Sequence, residues 1–124
     1  MQELIQSALG KTIEKVEFDN GKPVHHGKVR DSFLLDDDRR AIVVSDRVSS
    51  FDFILGTIPF KGQVLNQITA WWFEALNSID IPHHFLASPD PNISVVKNAQ
   101  PLSVEIVVRG YLTGTTTTSA WYAY

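Results

Sequence analysis

A glycine followed by two cations is the first group of residues that could bind a charged ligand. Gly27 precedes Lys28 and Arg30, and side chains two positions apart on an extended chain lie on the same face. A glycine allows backbone N–H groups to approach a phosphate closely, and the two cations can share one polyanion. The other interpretation is a strand entry with two solvated cations, because one glycine does not define a phosphate loop.

A polar stretch at residues 45–52 is the second candidate site. It contains Asp46, Arg47, Ser49 and Asp52, directly after an apolar run. Loops that follow buried strands often present polar binding groups on a rigid scaffold. The alternative is a capped turn with an Asp–Arg ion pair, and the pattern alone favours neither interpretation.

Arg109 is the third candidate, since it ends a nearly all-apolar run and precedes a turn from Gly110 to Gly114. A guanidinium at the edge of a core needs an anionic partner, because it does not lose its proton. That partner is either the carboxylate of Glu105 or the phosphate of a ligand. The glycines and hydroxyls that follow Arg109 favour the ligand.

Two histidine doublets, His25-His26 and His83-His84, raise the question of a metal site. Neighbouring side chains of an extended chain point to opposite faces, and no zinc-type ligand spacing is present. The sequence also has no cysteine, which excludes thiolate metal ligands and disulfides. No metal site is therefore predicted.

Length and composition predict one globular domain covering residues 1–124, with a net charge of -3. The acidic balance argues against a nucleic-acid partner, which usually requires a basic excess. No stretch approaches the roughly 18 consecutive apolar residues of a membrane span, and the N-terminus does not look like a signal peptide. We therefore expect a cytoplasmic protein without a membrane partner.

The hydrophobic pattern predicts an α+β fold with a mostly antiparallel sheet and one main helix. An Asn20-Gly21 pair predicts a tight hairpin turn, and residues 102–109 are the most strand-like run, expected at the sheet centre. Trp71 and Trp72 are expected in core and subdomain packing and not as a nucleobase platform, because Trp72 continues the apolar stripe of the main helix. The other predicted elements are helices at 3–9 and 62–79, and strands at 16–18, 29–35, 41–44, 51–55, 85–87 and 93–96.

Taken in order, four stretches resemble the SAICAR synthetase family, phosphoribosylaminoimidazole-succinocarboxamide synthase. Each stretch is weak evidence alone, but four in the family's order make a specific match. They are 27–31 (Gly-Lys-Val-Arg-Asp), 45–52 (Ser-Asp-Arg-Val-Ser-Ser-Phe-Asp), 61–67 (Lys-Gly-Gln-Val-Leu-Asn-Gln) running into 71–73 (Trp-Trp-Phe), and 104–114 (Val-Glu-Ile-Val-Val-Arg-Gly-Tyr-Leu-Thr-Gly).

The resemblance implies an ATP-dependent ligase of purine biosynthesis that joins carboxyaminoimidazole ribotide to L-aspartate. It implies a sheet that lies over the nucleotide like a kinase N-lobe, with Gly27, Lys28 and Arg30 in the phosphate-covering loop. Glu105 and Val107 are implied at the edge where adenine rests. The residues implied to bind the other substrates are Asp46, Arg47, Ser49, Asp52, Lys61, Arg109 and a hydroxyl after Gly114, either Thr115 or Ser119.

The resemblance covers only the N-terminal half of the family's enzyme. The family motif whose carboxylates bind Mg²⁺ is not in the sequence, so the 124-residue chain is expected to be inactive alone. The aromatic residues Trp121, Tyr122 and Tyr124 suggest a surface that contacts the missing C-terminal half or self-associates. The alternative function is a non-catalytic nucleotide-binding or interaction domain.

Overall fold

A five-stranded antiparallel sheet with a long helix against one face dominates the computed structural model, which describes residues 1–17 and 22–124. The strands of this sheet are β1 (Lys22–His26), β2 (Arg30–Leu34), β3 (Arg39–Val44), β6 (Phe85–Asp90) and β7 (Ile93–Lys97), in the spatial order β1-β2-β3-β7-β6. A two-stranded sheet pairs β4 (Arg47–Ser50) with β5 (Phe53–Thr57). The helices are α1 (Gln2–Ala8), α2 (Lys61–Asn77) and α3 (Ala120–Ala123).

The predicted α+β class with a mostly antiparallel sheet and one main helix is confirmed. Alternation along β2 and β3 buries Phe33, Ala41 and Val43 on one face, and Val16 and Ile93 pack against them. On the opposite face Ile42 is half-buried, whereas Val44 and Val96 are buried. The two faces therefore differ, since one carries the cluster around Phe33 and the other, called here the open sheet face, is covered by helix α2 over part of its length.

Helix α2 packs through a different stripe from the predicted one. Trp72 of the apolar stripe is exposed, whereas Gly62 and Asn66 are buried. The Asn66 side chain accepts from the Ser94 hydroxyl at 2.7 Å and donates to the Ser88 hydroxyl at 3.1 Å. Trp72 does not lie in the core of the described residues, and the subdomain packing expected of it stays a prediction. Small and hydrogen-bonding residues, together with the ring of Phe73 stacked on Phe85 of β6, form the contact of the helix with the sheet.

The predicted central strand at 102–109 is also wrong. This segment pairs with no strand of the described residues, and its side chains are exposed, including Val108 at 89%. High β-propensity reports how well a side chain fits a pleated, half-buried surface, and a strand also needs a neighbour for its N–H and C=O groups. The described sheet provides no such neighbour for residues 102–109.

Two smaller differences concern the chain before the main helix. Residues 11–17 form no strand, although Val16 reaches the core, and the predicted Asn20-Gly21 turn lies outside the described residues. Part of the stretch 45–52, expected to be a loop, forms β4.

Among the helices of the described residues, none has the length and apolar character that crossing a membrane requires.

Candidate functional site

The turn between β1 and β2 is closed by one short backbone hydrogen bond. The Gly27 N–H donates to the Arg30 carbonyl at 2.8 Å. A Cβ at position 27 would lie 2.8 Å from that same carbonyl oxygen, closer than real Cβ contacts allow. The close approach of the two ends of the turn explains why glycine stands at position 27.

Every carbonyl from Gly27 to Val29 accepts hydrogen bonds from residues that follow β3. Arg47 donates to the Gly27 and Lys28 carbonyls, at 3.0 Å each. Ser45 donates to the Val29 carbonyl twice, from its hydroxyl at 2.8 Å and from its backbone N–H at 3.0 Å. The buried side chains of Arg47 and Ser45 therefore fix the backbone of the turn through its carbonyls.

The backbone N–H groups of Lys28 and Val29 have no acceptor within the described part of the chain. In a trans peptide the C=O and N–H groups point in opposite directions, and this chain has no cis peptide among its described residues. Because the Gly27 and Lys28 carbonyls point toward Arg47, these two N–H groups point away from it. Successive N–H groups arranged in this way attract anions.

A cavity of about 540 Å³ lies beside this turn. The predicted site residues Gly27, Lys28 and Arg30 all line it, together with Ser32 and Ile42 of the open sheet face. The structure thus brings the three predicted residues to one place. The Lys28 ammonium contacts the carboxylate of Asp52 in an exposed ion pair.

Two smaller cavities continue along the same sheet face. One of about 290 Å³ is lined by Ile42, Val96 and Pro101, and one of about 160 Å³ lies between the sheet and Phe73 of α2. Ile42 borders these two cavities and the one beside the turn. An apolar surface therefore adjoins the donor-rich turn, an arrangement suited to a ligand with a flat ring and an anionic tail.

The residues of 45–52 have two different environments. Asp46 is buried, and its two carboxylate oxygens accept from the backbone N–H groups of Ile13 and Gly62, at 2.9 Å each. Arg47 is 6% exposed and also points inward. Ser49 lies within β4, and Asp52 lies exposed in the turn that follows. The substrate contacts implied for these residues stay predictions, and the polar groups of Asp46 and Arg47 are already bonded within the chain.

A second cavity of about 670 Å³ lies in the last part of the chain. Sequence-predicted residues Glu105, Val107, Arg109 and Ser119 line it, with Thr116 and Thr118. Thr115 is not among the lining residues, and Lys61, the first residue of α2, lies outside both this cavity and the one beside the turn.

The hydroxyls of this second cavity differ in their availability. Ser119 Oγ donates to the Thr116 carbonyl at 2.7 Å and accepts from the Tyr122 N–H, as a helix cap. Among the described residues, the hydroxyls of Thr116 and Thr118 form one hydrogen bond, with each other at 3.3 Å. In the sequence, the run of four threonines at 115–118 indicates a group of hydroxyls. The sequence alone does not show which of these threonines face the cavity.

Arg109 has no carboxylate partner in the described part of the chain, so the alternative Arg109–Glu105 pair is not formed. Its guanidinium carbon lies 3.8 Å from the position that a Cβ on Gly114 would occupy. Gly114 has a φ of +125°, which L side chains rarely adopt. A Cβ on Gly114 would lie 2.4 Å from the Cβ of Ser119, so the glycine permits both the turn and the close approach of Ser119, while the contact with Arg109 is an ordinary van der Waals one.

Metal-ligating groups do not converge in the described residues, where no three His, Cys, Asp or Glu side chains could share an ion. The histidines have other contacts, since Phe73 packs against the rings of His83 and His84. Burial lowers the pKa of His84, and the charge of His83 lowers it further. This histidine is therefore held toward its neutral form.

Comparisons with known proteins agree on one family. The SAICAR synthetase family profile matches residues 23–122. The phosphoribosylaminoimidazole-succinocarboxamide synthase of Legionella pneumophila (strain Lens) is 47% identical over 81% of this chain and 31% of that protein. The structure of SAICAR-synthase from Saccharomyces cerevisiae complexed with SAICAR matches 90% of this chain and 44% of that one, with 30% identity and a TM-score of 0.76. A SAICAR synthetase (Type-2) in complex with ADP matches 60% of this chain and 33% of that one, with 25% identity and a TM-score of 0.56.

The fold and its cavities define an α+β domain in which a turn with two backbone N–H groups lacking acceptors in the described chain lies beside an antiparallel sheet. By the profile match over most of its length, the chain belongs to the SAICAR synthetase family. It spans about a third of the length of the curated relatives that it matches.

Proposed function

We propose that this chain is the N-terminal, ATP-covering part of an enzyme that joins carboxyaminoimidazole ribotide to L-aspartate with hydrolysis of ATP. The observation that supports this most directly is the β1–β2 turn, where Lys28, Arg30 and two backbone N–H groups without acceptors in the described chain border one cavity. Family membership gives the reaction class, and the turn gives the place where the phosphates would bind. The cysteine-free sequence is consistent with a cytoplasmic enzyme.

The nucleotide would lie along the open sheet face. Its phosphates would accept hydrogen bonds from the turn and contact Lys28 and Arg30, while its base would pack on Ile42 and Val96. This orientation agrees with the continuous cavities along that face. The adenine contact implied for Glu105 and Val107 stays a prediction, since both residues line the second cavity.

The second cavity would receive the phosphate of the ribotide. Arg109, which has no protein carboxylate as a partner among the described residues, would neutralise that phosphate, and the hydroxyls of Thr116 and Thr118 would donate to it. The exposed aromatic residues at 121–124 would contact the remainder of the enzyme or a second copy. Both assignments use residues that the chain leaves accessible.

In the proposed chemistry the ribotide carboxylate takes the γ-phosphoryl group of ATP, which gives an acyl phosphate and ADP. The amine of aspartate then attacks the acyl carbon, forms the amide and releases phosphate. These residues would act by positioning the triphosphate and the ribotide and by neutralising their charges. Mg²⁺ would supply further charge neutralisation when bound. The described residues do not form a carboxylate cluster for it.

Replacing Lys28 by methionine tests the nucleotide site. In a synthetase of family length that contains this sequence, Lys28→Met should raise the KM for ATP or lower kcat at least about tenfold, because it removes charge neutralisation at the phosphates. The melting temperature should hardly change, since the Lys28–Asp52 ion pair is exposed.

Lys22→Met is the matched control, because Lys22 is also an exposed lysine but lies at the start of β1, outside the cavity. It should leave the kinetics unchanged. Equal losses in the two variants, or an unchanged ATP dependence in Lys28→Met, would contradict the proposed nucleotide site.

A further inference from the structure

We propose that Arg47 is a positioning residue that orients the backbone of the β1–β2 turn for phosphate binding without touching the nucleotide. This inference rests on the proposed function for the turn. It differs from the sequence-based expectation, in which Arg47 binds a substrate directly. Its basis is the geometry of one buried guanidinium.

All the contacts of this guanidinium are within the chain. Arg47 donates to the carbonyls of Gly27 and Lys28, at 3.0 Å each, and also to the carbonyl of Glu14. A fourth contact, at 2.8 Å, joins it to the Asp31 carboxylate. The Arg47 side chain is 8% exposed and that of Asp31 is fully buried, so a substrate does not reach the guanidinium in this arrangement.

The two turn carbonyls determine where the neighbouring N–H groups point. The Gly27 carbonyl shares a peptide plane with the Lys28 N–H, and the Lys28 carbonyl shares one with the Val29 N–H. Because the two groups of a trans peptide point in opposite directions, hydrogen bonds to Arg47 turn both N–H groups away from it. The cavity proposed for the phosphates is bordered by residues 27–30 and not by Arg47.

Asp31 keeps the guanidinium in place. A buried guanidinium needs an anionic partner, and a buried carboxylate is costly when it is unpaired. Oδ1 of Asp31 accepts from Arg47 and lies 3.3 Å from Nδ1 of His26, while its Oδ2 has no hydrogen-bond partner in the described chain. Arg47 is therefore the main charge partner of Asp31, and each side chain fixes the other.

The arrangement explains why an arginine is needed. Its planar fork carries five N–H donors in fixed directions, which allows one side chain to bind carbonyls and a carboxylate together. A lysine ammonium in the same space keeps the charge but cannot reproduce this set of contacts. Arg47→Lys therefore tests whether the turn needs the full set of arginine contacts or only a buried positive charge.

The experiment compares Arg47→Lys with the unsubstituted protein in a synthetase of family length that contains this sequence. We expect the KM for ATP to rise at least about tenfold while the KM for aspartate changes little, since one charge-assisted contact set is lost at the turn. Hydrogen exchange within 27–30 should also accelerate at Gly27, whose N–H donates to the Arg30 carbonyl, relative to amides of the sheet. Arg39→Lys is the matched control, because Arg39 forms an exposed ion pair with Asp36 at the end of β3 opposite to the one that pairs with Arg30.

A purely structural role gives a different result. In that case Arg47→Lys would lower the melting temperature but leave both the KM for ATP and the exchange at 27–30 unchanged, which would overturn the inference. If Arg47→Lys does not fold, Asp31→Asn takes its place, because it keeps the side-chain size and removes only the charge partner. Unchanged exchange and KM in a folded Asp31→Asn variant would likewise overturn it.

Lys28→Met, measured in parallel, separates this inference from the proposed function. A raised KM for ATP in Lys28→Met with no change in Arg47→Lys would overturn the positioning role alone. No effect of Lys28→Met on ATP would overturn the proposed nucleotide site, and with it the role given to Arg47.

Discussion

The sheet region at 22–97 and the segment at 98–124 contain similar residue types but have different structures. In the sheet, alternating apolar residues are buried, and Phe33 is only 1% exposed. In the later segment, Val104, Ile106 and Val108 also suit a strand, yet all are exposed. The difference lies in the partners, because β2 and β3 pair in register along five positions whereas 102–109 pairs with nothing in the described chain. Composition favours a strand, and a neighbouring strand stabilises it.

Truncating one large side chain in each region should give the largest contrast. Phe33→Ala should lower the free energy of unfolding by about 3–5 kcal/mol, since it leaves a cavity between the sheet and its packed neighbours. Val108→Ala should change it by less than about 0.5 kcal/mol, because that side chain is almost fully exposed. Urea unfolding followed by circular dichroism measures both values. A large loss for Val108→Ala would show that residues 102–109 are packed in solution.

Adding one methyl group to a glycine in each region should give an intermediate contrast. A Cβ on Gly62 would lie 2.2 Å from the carbonyl oxygen of Val44 and 2.5 Å from the Asn92 amide, whereas one on Gly110 would meet nothing within 4 Å. Gly62→Ala should therefore cost about 1–3 kcal/mol of stability, despite the better helix propensity of alanine. Gly110→Ala should be close to neutral.

Thermal unfolding of the two glycine variants checks this contrast. If Gly62→Ala were as stable as the unsubstituted chain, the close contact between α2 and the end of β3 would be wrong. A loss in Gly110→Ala would instead indicate that residues 110–114 are packed more closely than the structure shows.

The sequence predicted those parts of the fold that depend on local patterns. Alternation at 29–35 and 41–44 located β2 and β3, and the 3.6-residue period located α2, all within a few residues. Pattern did not show which face of α2 meets the sheet. That face combines Gly62, the Asn66 hydrogen bonds and the Phe73 ring stacked on Phe85, a set of tertiary contacts that a hydrophobic period alone does not identify.

The candidate site likewise has one part that the sequence predicted and one part that it did not. Gly27, Lys28 and Arg30 are adjacent in sequence, so their convergence at one cavity follows from a single turn. The inward orientation of Arg47 depends on its contact with the buried carboxylate of Asp31, 16 residues away in sequence. Sequence spacing does not reveal such a pair. An arginine within a polar stretch is consistent with either a ligand contact or an internal anchor.

The smallest expected effect is a change in the pH dependence of stability that comes from His84, which borders two of the cavities on the sheet. Burial, together with the charge of His83, lowers the pKa of His84 in the folded chain, so the unfolded chain binds the proton more readily. Its contribution to stability is therefore present above about pH 6.5, the ordinary histidine value, and is lost as the pH falls through the lower folded pKa. Urea unfolding at pH 7.5 and pH 5 should show a smaller loss on acidification in His84→Gln than in the unsubstituted chain. His25→Gln, a change at an exposed strand position, should keep the full loss, and an equal loss in all three proteins would show that His84 does not contribute to the pH dependence.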